Sequence, residues 1–390
     1  MPERSDYTRQ IAFDCRYFLG DRPCVWHKQS GVVCVCEHYQ KTDEHLLIIK
    51  LDAIGDVLRT TALLPALQEV HPAAAIAWIT RRESVPLLRG NPYIAELLEL
   101  DVDTCAHLLA RSFDRVINLD ASKVSASLAA MARSPRKDGF VLSPNGHVVA
   151  TNAAARQWLE AGIFDDVKRQ GTSTYQDCMA AILGLEGRQH RYILEMRPDE
   201  FRRAREQLVS LGFEPDRQAI GLNTGAGDRW PLKQWHEHGY VELIRRLHTD
   251  HNVQFVLLGG PNETERNQRL KAASGVPLVD PGCRNPIRHF AALVGHCDVV
   301  VTGDTLAMHI ALALKRRAVI LFGPTSAAEI ETYGLGEKIV PDMTCLGCYK
   351  TSCDFVPNCM DLISVDMVQR AVERQLTVAR GGTRGSEASP

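Results

Sequence analysis

Three short stretches of this chain combine glycine, carboxylate, hydroxyl and basic side chains in ways suited to a phosphorylated substrate, and two others gather cysteine. In Lys50-Leu51-Asp52-Ala53-Ile54-Gly55-Asp56 an apolar run ends at Lys50 and a helical pattern follows. Gly55 lets the backbone approach a ligand, and Asp56 falls at the positive end of the helix. A carboxylate there can take a proton from a hydroxyl or serve only as a helix cap. In Asn223-Thr224-Gly225-Ala226-Gly227-Asp228-Arg229-Trp230-Pro231-Leu232-Lys233, backbone N–H groups with Thr224, Arg229 and Lys233 could cradle a diphosphate. This segment is neither a Walker loop nor a GxGxxG fingerprint, and a plain solvated loop is the alternative. In Thr302-Gly303-Asp304-Thr305-Leu306-Ala307-Met308-His309 a tight turn feeds a helix capped by Asp304 or Thr305. Its first amides favour an anion, to which His309 adds a donor; a lone helical histidine is also a common structural residue. Gly323-Pro324-Thr325 repeats the geometry one strand later.

Of twelve cysteines, eight fall in two groups. Close groups in a reducing compartment point to metal more than to disulfides. Cys345, Cys348, Cys353 and Cys359 lie within fifteen residues and can reach one tetrahedral ion with no open position, a structural site. Zinc and iron both accept four sulfurs. Cys15, Cys24, Cys34 and Cys36, with His27 and His38 nearby, are spaced irregularly and form a candidate second site. Cys105, Cys178, Cys283 and Cys297 are isolated and read as small core or surface residues.

Alternating strands and helices must position these loops. Leu46–Lys50 reads as a strand, Asp52–Asp56 as a turn around Gly55, and Val57–Val70 as a helix; strands follow at 75–80, Leu97–Leu100 and 115–120. The stretch from about Gly139 to Gly187 is polar and irregular apart from a helix at Thr174–Leu185. Alternation resumes with a helix over Asp199–Leu211 and strands at 219–227, 253–260, 277–280, 297–304 and 318–323. Such alternation predicts parallel sheets with crossovers. Two such units place a cleft between the carboxyl ends of both sheets, a geometry for joining two substrates. The expected division is a Cys/His-rich appendage over 1–42, domains over 43–190 and 191–378, and a disordered tail over 379–390.

Segments IIKLDAIGDVLRTTALLPAL, NTGAGDRWPLKQW with LLGGPNE, and VVVTGDTLAMHIALALKRRAVILFGPT occur in that order within residues 46–325. Together they resemble glycosyltransferase family 9, the ADP-heptose-using transferases. The resemblance implies an α/β, GT-B-like fold of two facing Rossmann-like domains with parallel sheets, here carrying a small N-terminal Cys-rich appendage. It implies Asp56 as general base, Thr224 with Arg229 and Lys233 at the diphosphate, and Gly260 and Glu263 at the nucleoside. Thr302, Gly303, Asp304, Thr305 and His309 match the segment around diphosphate and sugar. Either Arg229 or Lys233 takes the role of the family's diphosphate lysine. The implied donor is ADP-heptose, and the acceptor a hydroxyl of a glycan, of lipopolysaccharide core or of a protein. Another nucleotide sugar is one alternative; a non-catalytic metal-sulfur interaction protein is another. The 345–359 segment is similar to the cysteine motif of autotransporter heptosyltransferases, which implies iron there.

No Asp-x-Asp site lies near these loops, so no catalytic metal is expected; cations and helix N-termini must neutralise the leaving diphosphate. One base and one in-line attack invert the anomeric carbon; a retaining double displacement needs a second placed carboxylate, for which Asp304 is the candidate. A net charge of −2 offers no global field for nucleic acid. The first residues carry charges where a signal peptide needs an apolar run, and Val299–Val301 and Ala318–Phe322 are too short to span a bilayer. The expectation is a cytoplasmic protein able to touch the inner membrane, with oligomer formation left open.

Overall fold

The computed structural model describes residues 11–188, 190–227 and 230–382. Strand β1 (Glu44–Ile49) is formed by an unbroken apolar run, and Leu46 through Ile49 are shut off from solvent on both faces, as a central parallel strand requires. With β2 (Ala74–Thr80), β3 (Ile94–Glu99), β4 (Arg115–Asn118), β5 (Lys137–Leu142) and β6 (Val148–Ala150) it builds a sheet of order β3-β2-β1-β4-β5-β6. All neighbours are parallel except β5 and β6. The second sheet joins β7 (Gln218–Asn223), β8 (Val253–Leu258), β9 (Val299–Gly303), β10 (Arg317–Leu321) and β11 (Gly336–Ile339) in the order β11-β10-β9-β7-β8, parallel throughout. The α/β class and the two parallel-sheet domains are those expected.

Several local expectations need correction. The loop after β1 turns into helix already at Ile54, so Gly55 and Asp56 lie in the first turn of helix Ile54–Thr60. The continuous helix expected over Val57–Val70 is broken into that helix, a 3-10 turn at Thr61–Leu63 and a helix Leu64–Val70. Pro65 in the first turn of the latter has no N–H to continue the ladder. The stretch read as irregular holds the β5–β6 hairpin and helices Ala153–Ile163, Asp165–Gln170 and Tyr175–Leu183. Residues 277–280 form only an isolated bridge, Val256 to Val279, rather than a strand. Strand β11 and helix Val365–Gly382 were not foreseen. The tail expected from residue 379 lies outside the described residues from 383 on, as do the first ten residues of the appendage and Arg229.

The domains share a core. Leu58 and Leu87 of the first pack with Val300, Ile310 and Ala311 of the second. Across that seam helix Ile54–Thr60 meets helix Leu306–Ala313. The described part of the appendage is organised by rings: Trp26 stacks on His38 at 3.8 Å and takes Tyr17 edge-on. No helix among the described residues is long and apolar enough to cross a membrane.

Candidate functional site

A cleft of about 680 Å³ opens where the carboxyl ends of both sheets face each other. On the first domain's side Asp56 occupies it, its Oδ2 accepting the Ala53 N–H at 3.2 Å and its Oδ1 3.0 Å from Arg59 Nη2. The Asp56 side chain keeps 32% of its exposure, enough to reach a substrate. Burial pushes its carboxyl up, but the charges of Arg59, Lys50 and His309 overcome this and hold it at about 2. Arg59, itself buried, lies over the Tyr175 ring with its guanidinium carbon 3.7 Å from the centroid, and Tyr175 shares a 2.7 Å hydrogen bond with Thr60. Lys50 donates to the Asp52 carbonyl at 2.7 Å and to the Asp120 carboxylate, which also accepts the Leu51 and Asp52 N–H groups. Asp120 therefore fixes the loop that delivers Asp56. The sequence reading missed Arg59, Asp120 and Tyr175; the available signal was a charged residue three positions after Asp56 on an otherwise apolar helix.

On the second domain's side Lys233 ends a 3-10 turn, Pro231–Lys233, and its Nζ donates to Asp304 Oδ2 at 2.8 Å and to the Asp304 carbonyl at 3.0 Å. Burial works against the Asp304 charge, yet Lys233 draws its carboxyl below the usual range. Gly227 adopts φ +68° in the same loop, a conformation glycine takes at no steric cost. Gly260 and Glu263 line the cleft, with Glu263 Oε2 accepting the Gly260 N–H at 2.7 Å. Thr305 opens helix Leu306–Ala313, but its hydroxyl is committed to Asn223 and Thr302, so no side chain caps that helix. Its first amides remain for a ligand. His309 lines the cleft one turn on; burial, then Arg59, lowers its pKa to about 4, and Nδ1 has no partner among the described residues.

Two expected ligand residues point elsewhere. Thr224 is buried and donates to Asn267 Oδ1 at 2.6 Å. Thr302 is buried against Asn223 and Thr305. Neither lines the cleft, and Gly303 lies behind it, where a Cβ would stand 3.1 Å from the Lys233 carbonyl. Asn223, which the sequence reading did not single out, does line it.

The cysteine-bearing loop reaches the same cleft. Gly347 N–H donates to the Gly323 carbonyl at 3.0 Å and Tyr349 N–H to Pro324 at 2.8 Å. Cys359 fills the space over Gly323, where a Cβ would lie 2.6 Å from its sulfur. Burial first, then Cys348, Cys353 and Cys345, push the Cys359 thiol up to about 11. In the appendage Cys15, Cys24, Cys34 and Cys36 line one cavity with His27 and His38. Among the described residues no three His, Cys, Asp or Glu side chains converge closely enough to hold a metal ion in either place.

Residues 104–357 match the model of glycosyltransferase family 9, the heptosyltransferases. Lipopolysaccharide heptosyltransferase 2 of Escherichia coli K12 is 26% identical over 317 residues, spanning 72% of this chain and 83% of that protein. Among solved structures, a family 9 glycosyl transferase from Veillonella parvula superposes with TM-score 0.72 at 20% identity, covering 86% of this chain and 98% of that one. The dodecameric iron-containing heptosyltransferase TibC, in complex with ADP-D-beta-D-heptose, superposes with TM-score 0.56 at 12% identity, over 87% of this chain and 78% of that one.

Proposed function

The chain belongs to glycosyltransferase family 9, and on that premise we propose that it transfers heptose from ADP-heptose to an acceptor hydroxyl with inversion at the anomeric carbon. The observation that carries this reading is the facing pair of charged sets across one cleft: Asp56 held between Arg59 and Lys50, and Lys233 with the uncapped helix at Leu306.

In this reading Asp56 takes the acceptor proton as the hydroxyl oxygen attacks the anomeric carbon. The bond from that carbon to the diphosphate breaks, and ADP leaves with the electron pair. Lys233 and the amides of helix Leu306–Ala313 neutralise the departing charge. Gly260 and Glu263 sit at the nucleoside end, and His309, neutral at pH 7, offers a ring nitrogen without adding charge. A carboxylate held at about 2 is always ionised but a weak base. The bound diphosphate brings like charge and competes for the surrounding cations, so donor binding raises Asp56 toward a useful basicity.

The same reading has Cys345, Cys348, Cys353 and Cys359 holding one structural iron or zinc ion. Their spacing within one anchored loop supports this, as does the iron-containing TibC, and the four side chains would have to converge further to close the site. Such an ion would bring the four thiolates under one charge and brace the loop. Cys15, Cys24, Cys34 and Cys36 form the second candidate. The acceptor is a hydroxyl of a glycan, of lipopolysaccharide core or of a protein, with lipopolysaccharide core the leading candidate from the relatives' names. The work is cytoplasmic, against the inner membrane when the acceptor is lipid-linked, and oligomer assembly as in TibC is part of the proposal.

The direct test is thermal shift with ADP-, UDP- and GDP-sugars, followed by anomer analysis of the transferred sugar. Stabilisation by ADP-heptose above the others, with an inverted product, is expected. Preference for a UDP- or GDP-sugar would replace the donor, and no response to any nucleotide sugar would favour a non-catalytic role.

A further inference from the structure

Resting on the transferase reading above, we propose that Tyr349 of the cysteine-bearing loop is a specificity-determining residue for the acceptor, forming with Lys168 and Trp158 a wall on which an acceptor sugar ring stacks. All three line the cleft that holds Asp56. Lys168 and Trp158 come from the first domain, in helices Asp165–Gln170 and Ala153–Ile163. Trp158 packs edge-on against Tyr175, whose ring lies under Arg59, the ion-pair partner of Asp56. The wall is thus tied by contacts to the group that receives the acceptor proton. The nucleotide-side residues Lys233, Gly260, Glu263 and Thr305 all belong to the second domain.

Tyr349 is held there at conformational cost. It adopts φ +52°, a left-handed conformation that a bulky residue keeps only when its surroundings enforce it. Its N–H is bound to Pro324, and the loop beside it is anchored by Gly347 and by Cys359 over Gly323. Its hydroxyl donates to Glu329 Oε1 at 3.0 Å and accepts the Ser326 N–H at 3.2 Å. Lys168 Nζ lies 3.5 Å from the ring centroid, and Trp230 meets the ring edge at 6.0 Å. Glu329 also lines the cleft. The Lys168 ammonium covers one face of the Tyr349 ring, so a polyhydroxylated ring would stack its C–H face on the opposite Tyr349 face or on Trp158 while its hydroxyls bond to Glu329 and Lys168. The loop thus shapes the cleft as well as bracing the fold.

The test uses the full chain with ADP-heptose as donor and heptose-free lipopolysaccharide core as acceptor probe, with ADP affinity measured by calorimetry. Tyr349→Asn removes the ring but tolerates the left-handed backbone; it should raise the acceptor KM about tenfold or more and leave donor KM and ADP Kd within about twofold. Tyr349→Phe keeps the stacking face and should stay within about threefold of wild type. Lys168→Gln, on the other domain, should raise acceptor KM without touching ADP affinity. Unchanged acceptor KM in both Tyr349→Asn and Lys168→Gln, or a matching rise in donor KM, overturns the wall. If Tyr349→Asn fails to fold, Lys168→Gln decides alone. Transfer by wild type to a serine peptide instead of the glycan overturns the sugar-stacking role while leaving the transferase reading standing. No transfer by wild type to either probe, with ADP still bound, overturns the donor-and-acceptor reading and the wall with it.

Discussion

Gly55 and His309 meet across the two domains with no room for a side chain between them: a Cβ on Gly55 would lie 2.7 Å from His309 Cδ2. The first adjoins Asp56 and the second lies on the helix proposed to hold the donor, so this contact sets the spacing between the two sides of the cleft. Gly55→Ala must displace the His309 ring or the helix that carries it. We expect kcat to fall about a hundredfold, the scale of an ångström misplacement, with a stability loss of roughly 1–3 kcal/mol from overpacking. Steady-state kinetics with a denaturant titration separate the two, and an unaltered kcat would show that the spacing is not critical.

Asp56→Ala should abolish transfer without weakening ADP binding, because the nucleotide-side residues belong to the other domain and the lost carboxylate carries the same sign of charge as the diphosphate. Near wild-type turnover in this variant would remove Asp56 from the role of base.

The Arg59 charge predicts a pH effect of definite sign. Burial raises the Asp56 carboxyl and Arg59 is the first of the charges that lower it to about 2. Removing that charge in Arg59→Met lets burial count for more, so the acid limb of kcat/KM should move to higher pH, by about one unit or more. A limb that stays in place, or moves to lower pH, would exclude Arg59 as the partner that keeps Asp56 ionised.

Lys233 bridges the loop after β7, the proposed diphosphate site, to Asp304. Lys233→Ala removes a charge-assisted contact to the donor and leaves Asp304 without its cation, so ADP binding should weaken by roughly 1.5–3 kcal/mol. Calorimetry reads this directly, and unchanged affinity would move the phosphate site elsewhere in the cleft.

Elemental analysis of protein purified without added metal should find iron or zinc, and a Cys348→Ser variant should lose it with a fall in melting temperature larger than any change in the chemical step. Metal retained at full occupancy in Cys348→Ser would reject that ligand set, as would native protein free of both metals with all four thiols open to alkylation.

Much of this protein was legible in its sequence. Short unbroken apolar runs such as Leu46–Ile49, bounded by turn residues, fit central parallel strands, and ligand loops in such sheets follow strand ends, which is why Asp56, Lys233, Asp304 and His309 line the cleft as the sequence pattern suggests. The short strands β6 and β11 escaped because their residues are mostly half-buried and show no clean alternation. What only the tertiary structure decided are contacts between residues far apart in the chain, which no local pattern encodes. Arg59 rests on Tyr175, 116 positions later, and Lys50 is neutralised by Asp120. Thr224 and Thr302 sit in ligand-like loops, yet the sheets turn their hydroxyls inward to satisfy Asn267 and Asn223, since a buried polar group must find a partner. The cysteine-bearing loop read only as a structural metal segment of the second domain; its anchoring on Gly323 and Pro324 brings Tyr349 to the cleft, because folding places the loop beside the end of β10.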